Sequence, residues 1–173
     1  MRFLLLVFLF LASFSSWSAE LSTDEELTLV ELVKSVVNAY GSGDADKIVE
    51  STFDPIVTAA GGSESLKLKT RQAIEQQRQA GVVIESTTIG KPTALVAAGE
   101  YQLCFVTRET VMQMPGKRGR TTSFMVAVRK PGATEWQLID GAGLRQRPQI
   151  LWLLFPELPE YLALPVNKLE LLP

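Results

Sequence analysis

The sequence predicts an α+β domain, with helices first and antiparallel strands after them. Three observations predict it. Apolar residues recur at helical spacing up to about residue 80. From Val82 onward the alternation has the two-residue period of strands. Pro115-Gly116 and Pro131-Gly132 then break the alternating part where hairpin turns belong. Helices segregated from a meander pack on one face of a sheet. The expected form is a cone, with three N-terminal helices on a strongly bent antiparallel sheet. A cystatin-like sheet around one helix is the alternative.

The elements follow in order. Ser22 and Thr23 precede Glu25 and Glu26, giving two overlapping capping boxes. Leu29, Leu32, Val33, Val36, Val37 and Tyr40 form the apolar stripe of a helix from about Asp24 to Tyr40. Gly41-Ser42-Gly43 ends it. Asp44 caps a short second helix that turns Ile48, Val49 and Phe53 inward. Asp54-Pro55 closes that helix, and IVTAA at 56–60 reads as a short strand. Ser63 caps a third helix, which runs to about Ala80 with Leu66, Thr70, Ala73, Ile74 and Gln77 on one side.

Strand candidates follow at Val82–Ile89, Thr93–Ala97 and Tyr101 to about Met112. Tyr101, Leu103, Phe105 and Thr107 share a face. Lys117, Arg118 and Arg120 sit at a basic hairpin tip. Phe124, Val126 and Val128 align on the returning strand. Trp136, Leu138 and Asp140 then alternate with Gln137 and Ile139.

The N-terminus carries the address. Met1-Arg2 is followed by the apolar run from Phe3 to Phe14, then by small residues up to Ala19. This is the layout of a secretory signal peptide. As a helix, the run rises about 18 Å, too short for a hydrocarbon core of about 30 Å. The expected organisation is a signal peptide at 1–19, an α+β domain at 20–147 and an apolar, proline-rich strap at 148–173. The product is expected in the bacterial periplasm or secreted, with no stable membrane span after cleavage.

Composition narrows the chemistry. The chain has one cysteine and no histidine. One cysteine forms no internal disulfide. In the run YQLCFV, Cys104 reads as a buried thiol. The absence of histidine removes Ser-His-Asp and Cys-His catalysis and the zinc-hydrolase motifs. No metal and no cofactor is expected. A formal net charge of −2 makes nucleic acid an unfavoured partner.

The segments AYGSGDADKIVESTFDP, GGSESL and ATEWQLIDG, in this order, resemble the nuclear transport factor 2-like superfamily. The resemblance covers about residues 24–145. It implies a pocket between sheet and helices. It does not imply an activity, because the superfamily hosts many.

Candidate sites follow from that pocket. Its lining is expected to include Tyr40, Phe53, Tyr101, Leu103, Phe105, Trp136, Leu138 and Asp140. On an apolar face, Asp140 would be desolvated and suited to proton transfer; equally, Asp140-Gly141 begins a turn. The ketosteroid isomerases of the superfamily use a helix tyrosine and sheet aspartates. Tyr40, Asp54 and Asp140 are the residues of that type here, and their spacing does not follow the isomerase pattern. In the tail, Trp152, Phe155 and Tyr161 cover something, either the domain itself or a partner, and with Lys117, Arg118 and Arg120 they form a candidate partner surface.

The leading expectation is an exported, non-catalytic binding or accessory domain. Its pocket takes a small apolar ligand or is filled by its own side chains. One alternative is a cofactor-free isomerase or cyclase that uses Asp140 and Tyr40. Another is a cell-envelope interaction module that engages a homodimer partner or an envelope protein through the tail.

Overall fold

The computed structural model describes residues 20–173. The signal-peptide reading of residues 1–19 lies outside them. The chain folds as α1 (Thr23–Ser42), α2 (Ala45–Glu50), α3 (Asp54–Ala59) and α4 (Ser63–Gln79), followed by β1 (Val83–Pro92), β2 (Val96–Ala98), β3 (Tyr101–Met114), β4 (Lys117–Arg129) and β5 (Gln137–Asp140). One turn of 3-10 helix (Gly141–Leu144), α5 (Ile150–Leu154) and β6 (Lys168–Leu172) complete it. The architecture is α+β, with helices before a six-stranded antiparallel sheet.

The sheet departs from the expected cone. It runs β1-β3-β4-β5, with β2 on β3 and β6 on β4. It is neither strongly curled nor closed. Each face carries its own apolar layer. An open sheet covered on both faces has no need to bend around one core.

Four helices precede the sheet, where three were expected. The extra one is α3, over the residues read as a closing turn and a strand. Pro55 falls in its first turn, where a missing N–H costs no hydrogen bond. A short apolar run such as IVTAA does not by itself separate helix from strand.

The other helix signals act locally. Ser22 caps α1 in a full capping box with Glu25. Gly43 ends α1 at φ 84°, in the left-handed region that glycine enters freely. The Asp44 side chain accepts from the Lys47 N–H at the start of α2. Gly62, not Ser63, stands before α4, and no side chain caps that helix.

Leu29, Val33, Val36 and Ala39 of α1 are buried. They pack with Ile48, Ile74, Cys104, Val106, Met125 and Leu138 in the layer between helices and sheet. Each fully buried valine or leucine contributes about 1.5–3 kcal/mol. The opposite layer contains Leu103, Phe105, Phe124 and Val126, covered by Leu151, Phe155 and Leu158 of the tail.

Strand alternation sorts these residues. Cys104, Val106, Arg108, Thr110 and Met112 of β3 face the helices, and Leu103 and Phe105 face the tail. The β3–β4 register pairs Arg108 with Ser123, Thr110 with Thr121 and Met112 with Gly119. The β6 register extends two of these rows, setting Leu169 opposite Thr121 and Leu171 opposite Gly119.

Candidate functional site

A cavity of about 330 Å³ lies between α1, α4 and the far halves of β1, β3 and β4. Val37, Val82, Ile84 and Met112 give it apolar walls; Arg108, Ser123, Asp140, Arg145 and three threonines give it a polar end. A neighbouring pocket of about 260 Å³ is lined by Val36, Ile48, Leu66, Met125 and Leu138 among others. Tyr40 and Asp140 line both.

The polar end is built around Arg108. Its Nε donates to Ser123 Oγ at 2.8 Å. Its Nη2 donates to both Asp140 oxygens, at 2.7 and 3.0 Å. The Ala142 N–H donates to Asp140 Oδ1 at 2.8 Å. Asp140 therefore ends β5, caps the 3-10 turn and pairs with an arginine at once. Gly141 follows because a Cβ there would meet Phe124 O at 2.5 Å.

Tyr40 reaches this cluster from α1. Burial pushes its hydroxyl pKa up to about 12; the negative charge of Asp140 adds to the rise and Arg108 opposes it. At neutral pH the hydroxyl keeps its proton and can donate it in a hydrogen bond. It is no base. On β3 and inside the helix-side layer, the Cys104 thiol is likewise pushed up to about 12 by burial.

The structure brings together Tyr40, Leu138 and Asp140 of the expected lining. Trp136 lies on the same side but belongs to the packed layer, with the Arg129 guanidinium 4.4 Å from its ring. Phe53, Tyr101, Leu103 and Phe105 lie on the other face. The expectation placed Leu103 and Asp140 on one face. The register sets Leu103 opposite Val128 and Asp140 opposite Met125, positions of opposite parity on β4. Asp54 is exposed at the start of α3, in a groove with Tyr101 and Lys130, away from Tyr40 and Asp140.

The tail packs on its own domain. Phe155 is 2% exposed and stacks on Phe53 at 5.4 Å, so it presents no surface to a partner. Trp152 is half-buried, and its indole N–H donates to Pro159 O. Tyr161 is exposed. Asn167 ties the tail to the cavity end, donating to Gly141 O and accepting from Arg145 Nε.

Lys117, Arg118 and Arg120 belong to β4 rather than to a loop tip. Only Pro115 and Gly116 separate β3 from β4. Arg118 pairs with Glu85, and Arg120 lies 3.4 Å from Glu109. Lys117 is exposed.

Sequence reasoning missed Arg108, Ser123, Thr110 and Arg145. A signal for Arg108 exists: in YQLCFVTRET it shares strand parity with Cys104 and Val106. Once Cys104 is read as buried, Arg108 points to the same side.

Among the described residues, no group of three or more His, Cys, Asp or Glu is placed to hold a metal ion. No helix among them is long and apolar enough to cross a membrane. Comparison with protein-family models, curated proteins and solved structures returns no match.

Proposed function

We propose that the chain is an exported, non-catalytic binding domain whose helix-side cavity takes a small apolar ligand. The observation that carries this reading is the cavity of about 330 Å³, apolar along its walls and polar at one end. Its volume falls within the roughly 300–1,000 Å³ of small-molecule sites. The exported location rests on the signal-peptide reading of residues 1–19.

The geometry favours binding over proton transfer. A general base needs a lone pair aimed at the substrate. The Asp140 carboxylate already accepts two hydrogen bonds from Arg108 and one from Ala142. The order of elements also supports kinship with the nuclear transport factor 2-like superfamily. The open sheet is where this chain would depart from its relatives.

A neutral naphthylamine fluorophore tests the reading. Its emission should rise and saturate near one probe per chain. Thr110→Phe, which fills the cavity from its floor, should weaken binding at least tenfold while leaving the far-ultraviolet circular dichroism unchanged. Equal binding by the folded Thr110→Phe protein would place the ligand elsewhere.

A further inference from the structure

We infer that the cavity selects apolar molecules carrying a single carboxylate, held between Arg108 and Arg145. The inference rests on the cavity being the ligand site.

Charge points to it first. The ionic side chains lining the cavity are Arg108, Arg145 and Asp140, two cations and one anion. Asp140 neutralises Arg108. Arg145 spends its Nε on the uncharged Asn167 side chain and has no carboxylate partner among the described residues. The lining therefore holds one surplus positive charge, on the solvent-exposed Arg145. A monoanion balances it. A cation adds to it, and a dianion meets repulsion from Asp140.

Unused donors point the same way. The Arg108 side chain is only 13% exposed. Its Nε and Nη2 are taken by Ser123 and Asp140; its Nη1 has no partner among the described residues. Nη1 is not fully buried, so it can donate to a ligand acceptor without breaking any bond within the protein. Thr87 and Thr110 bond each other at 3.1 Å, which commits one of their two hydroxyl protons. A carboxylate offers two planar acceptors, the geometry a guanidinium edge matches best. The body of the ligand then lies along Val37, Val82, Ile84 and Met112.

The test is a competition on the purified protein at neutral pH. The bound naphthylamine fluorophore is displaced by decanoate, decanol or decyltrimethylammonium. Decanoate should displace it at a concentration roughly tenfold below that of decanol, the scale of one hydrogen bond to a charged group. The cation should be the weakest competitor. Arg145→Gln should remove most of the preference for decanoate and leave decanol unchanged. Asn167→Ala breaks the same Arg145 hydrogen bond but keeps the charge, so the preference should survive.

Equal competition by decanol and decanoate would overturn the carboxylate assignment and leave the binding reading intact. An unchanged preference in Arg145→Gln would overturn the role of Arg145, as would its loss in Asn167→Ala. Failure of the fluorophore to bind at all would overturn both the assignment and the binding reading.

Discussion

The two faces of the sheet share the same strands and differ in what covers them. On the tail side, Phe53, Tyr101 and Phe155 lock together with ring centroids 5.4–5.7 Å apart, and Leu151 and Leu158 fill the space beside them. On the helix side, α1 packs along the sheet and α4 packs on α2, and the cavity lies between these helices and the far halves of β1, β3 and β4. An irregular, proline-broken strap can follow a surface residue by residue. A helix touches it only along a stripe. The aromatic lock fills the centre of the tail-side layer, and the helix side leaves room for a ligand beside Arg108.

The polar groups are arranged differently on the two faces. The tail side carries the Glu109–Arg120 pair beyond its apolar layer. The helix-covered face carries Arg108, Ser123 and Asp140 at the inner margin of the cavity. Such a cluster is stable only with its members paired, and the hydrogen bonds of Arg108 and Ala142 supply the pairing.

Breaking the seal should have the largest effect. Phe155→Ala removes a ring that is 2% exposed and stacked on Phe53. The expected cost is about 3–5 kcal/mol in denaturant unfolding. Folded Phe155→Ala protein should still bind the fluorophore, because the cavity lies across the sheet. Loss of both together would mean that the two faces are not separable.

Breaking the polar pair should cost less. Asp140→Asn weakens the link to Arg108 and should lower stability by about 1–3 kcal/mol. Replacing both partners, as Arg108→Met with Asp140→Leu, should recover much of that loss, since no unpaired charge remains. If the double variant is no more stable than Asp140→Asn, the cluster holds the fold through contacts other than the pair.

The smallest effect lies at the margin of the helix face, where Glu25 joins α1 to β4. The Ser22 backbone N–H and the Arg129 side chain hold its pKa at about 2, down from 4.5. A lowered carboxylate pKa stabilises the fold above the unfolded value. That stability is present above pH 4.5 and is lost as pH falls towards 2. Thermal melts should therefore show a shallower acid decline for Glu25→Gln than for the parent between those values. Identical slopes would assign the acid sensitivity to other carboxylates.

Much of the fold was legible in the sequence because its signals are local. The Ser22–Glu25 capping box, the stop at Gly43 and the Pro115-Gly116 turn each depend on neighbouring residues only. The site was less legible because it is made by registers and parities across strands. Tyr40 and Asp140 were found by type. Their partner Arg108 lies 32 positions from Asp140, and no local pattern links them. The same limit put Leu103 and Phe105 on the wrong face. Alternation within β3 says which residues share a side, but only the pairing with β4 and β5 says which side meets the helices. The open form of the sheet was hidden for a related reason, since the tail's second layer is a long-range packing event.

The central claim is that the ligand binds on the helix side of the sheet and not on the tail side. Methyl-resolved nuclear magnetic resonance during titration with the neutral fluorophore tests it most directly. The account predicts shifts at Val37, Ile84, Thr110 and Met112, with Leu103, Val126 and Leu151 unmoved. Shifts centred on Leu103, Val126 and Leu151, with the cavity methyls unmoved, would contradict it.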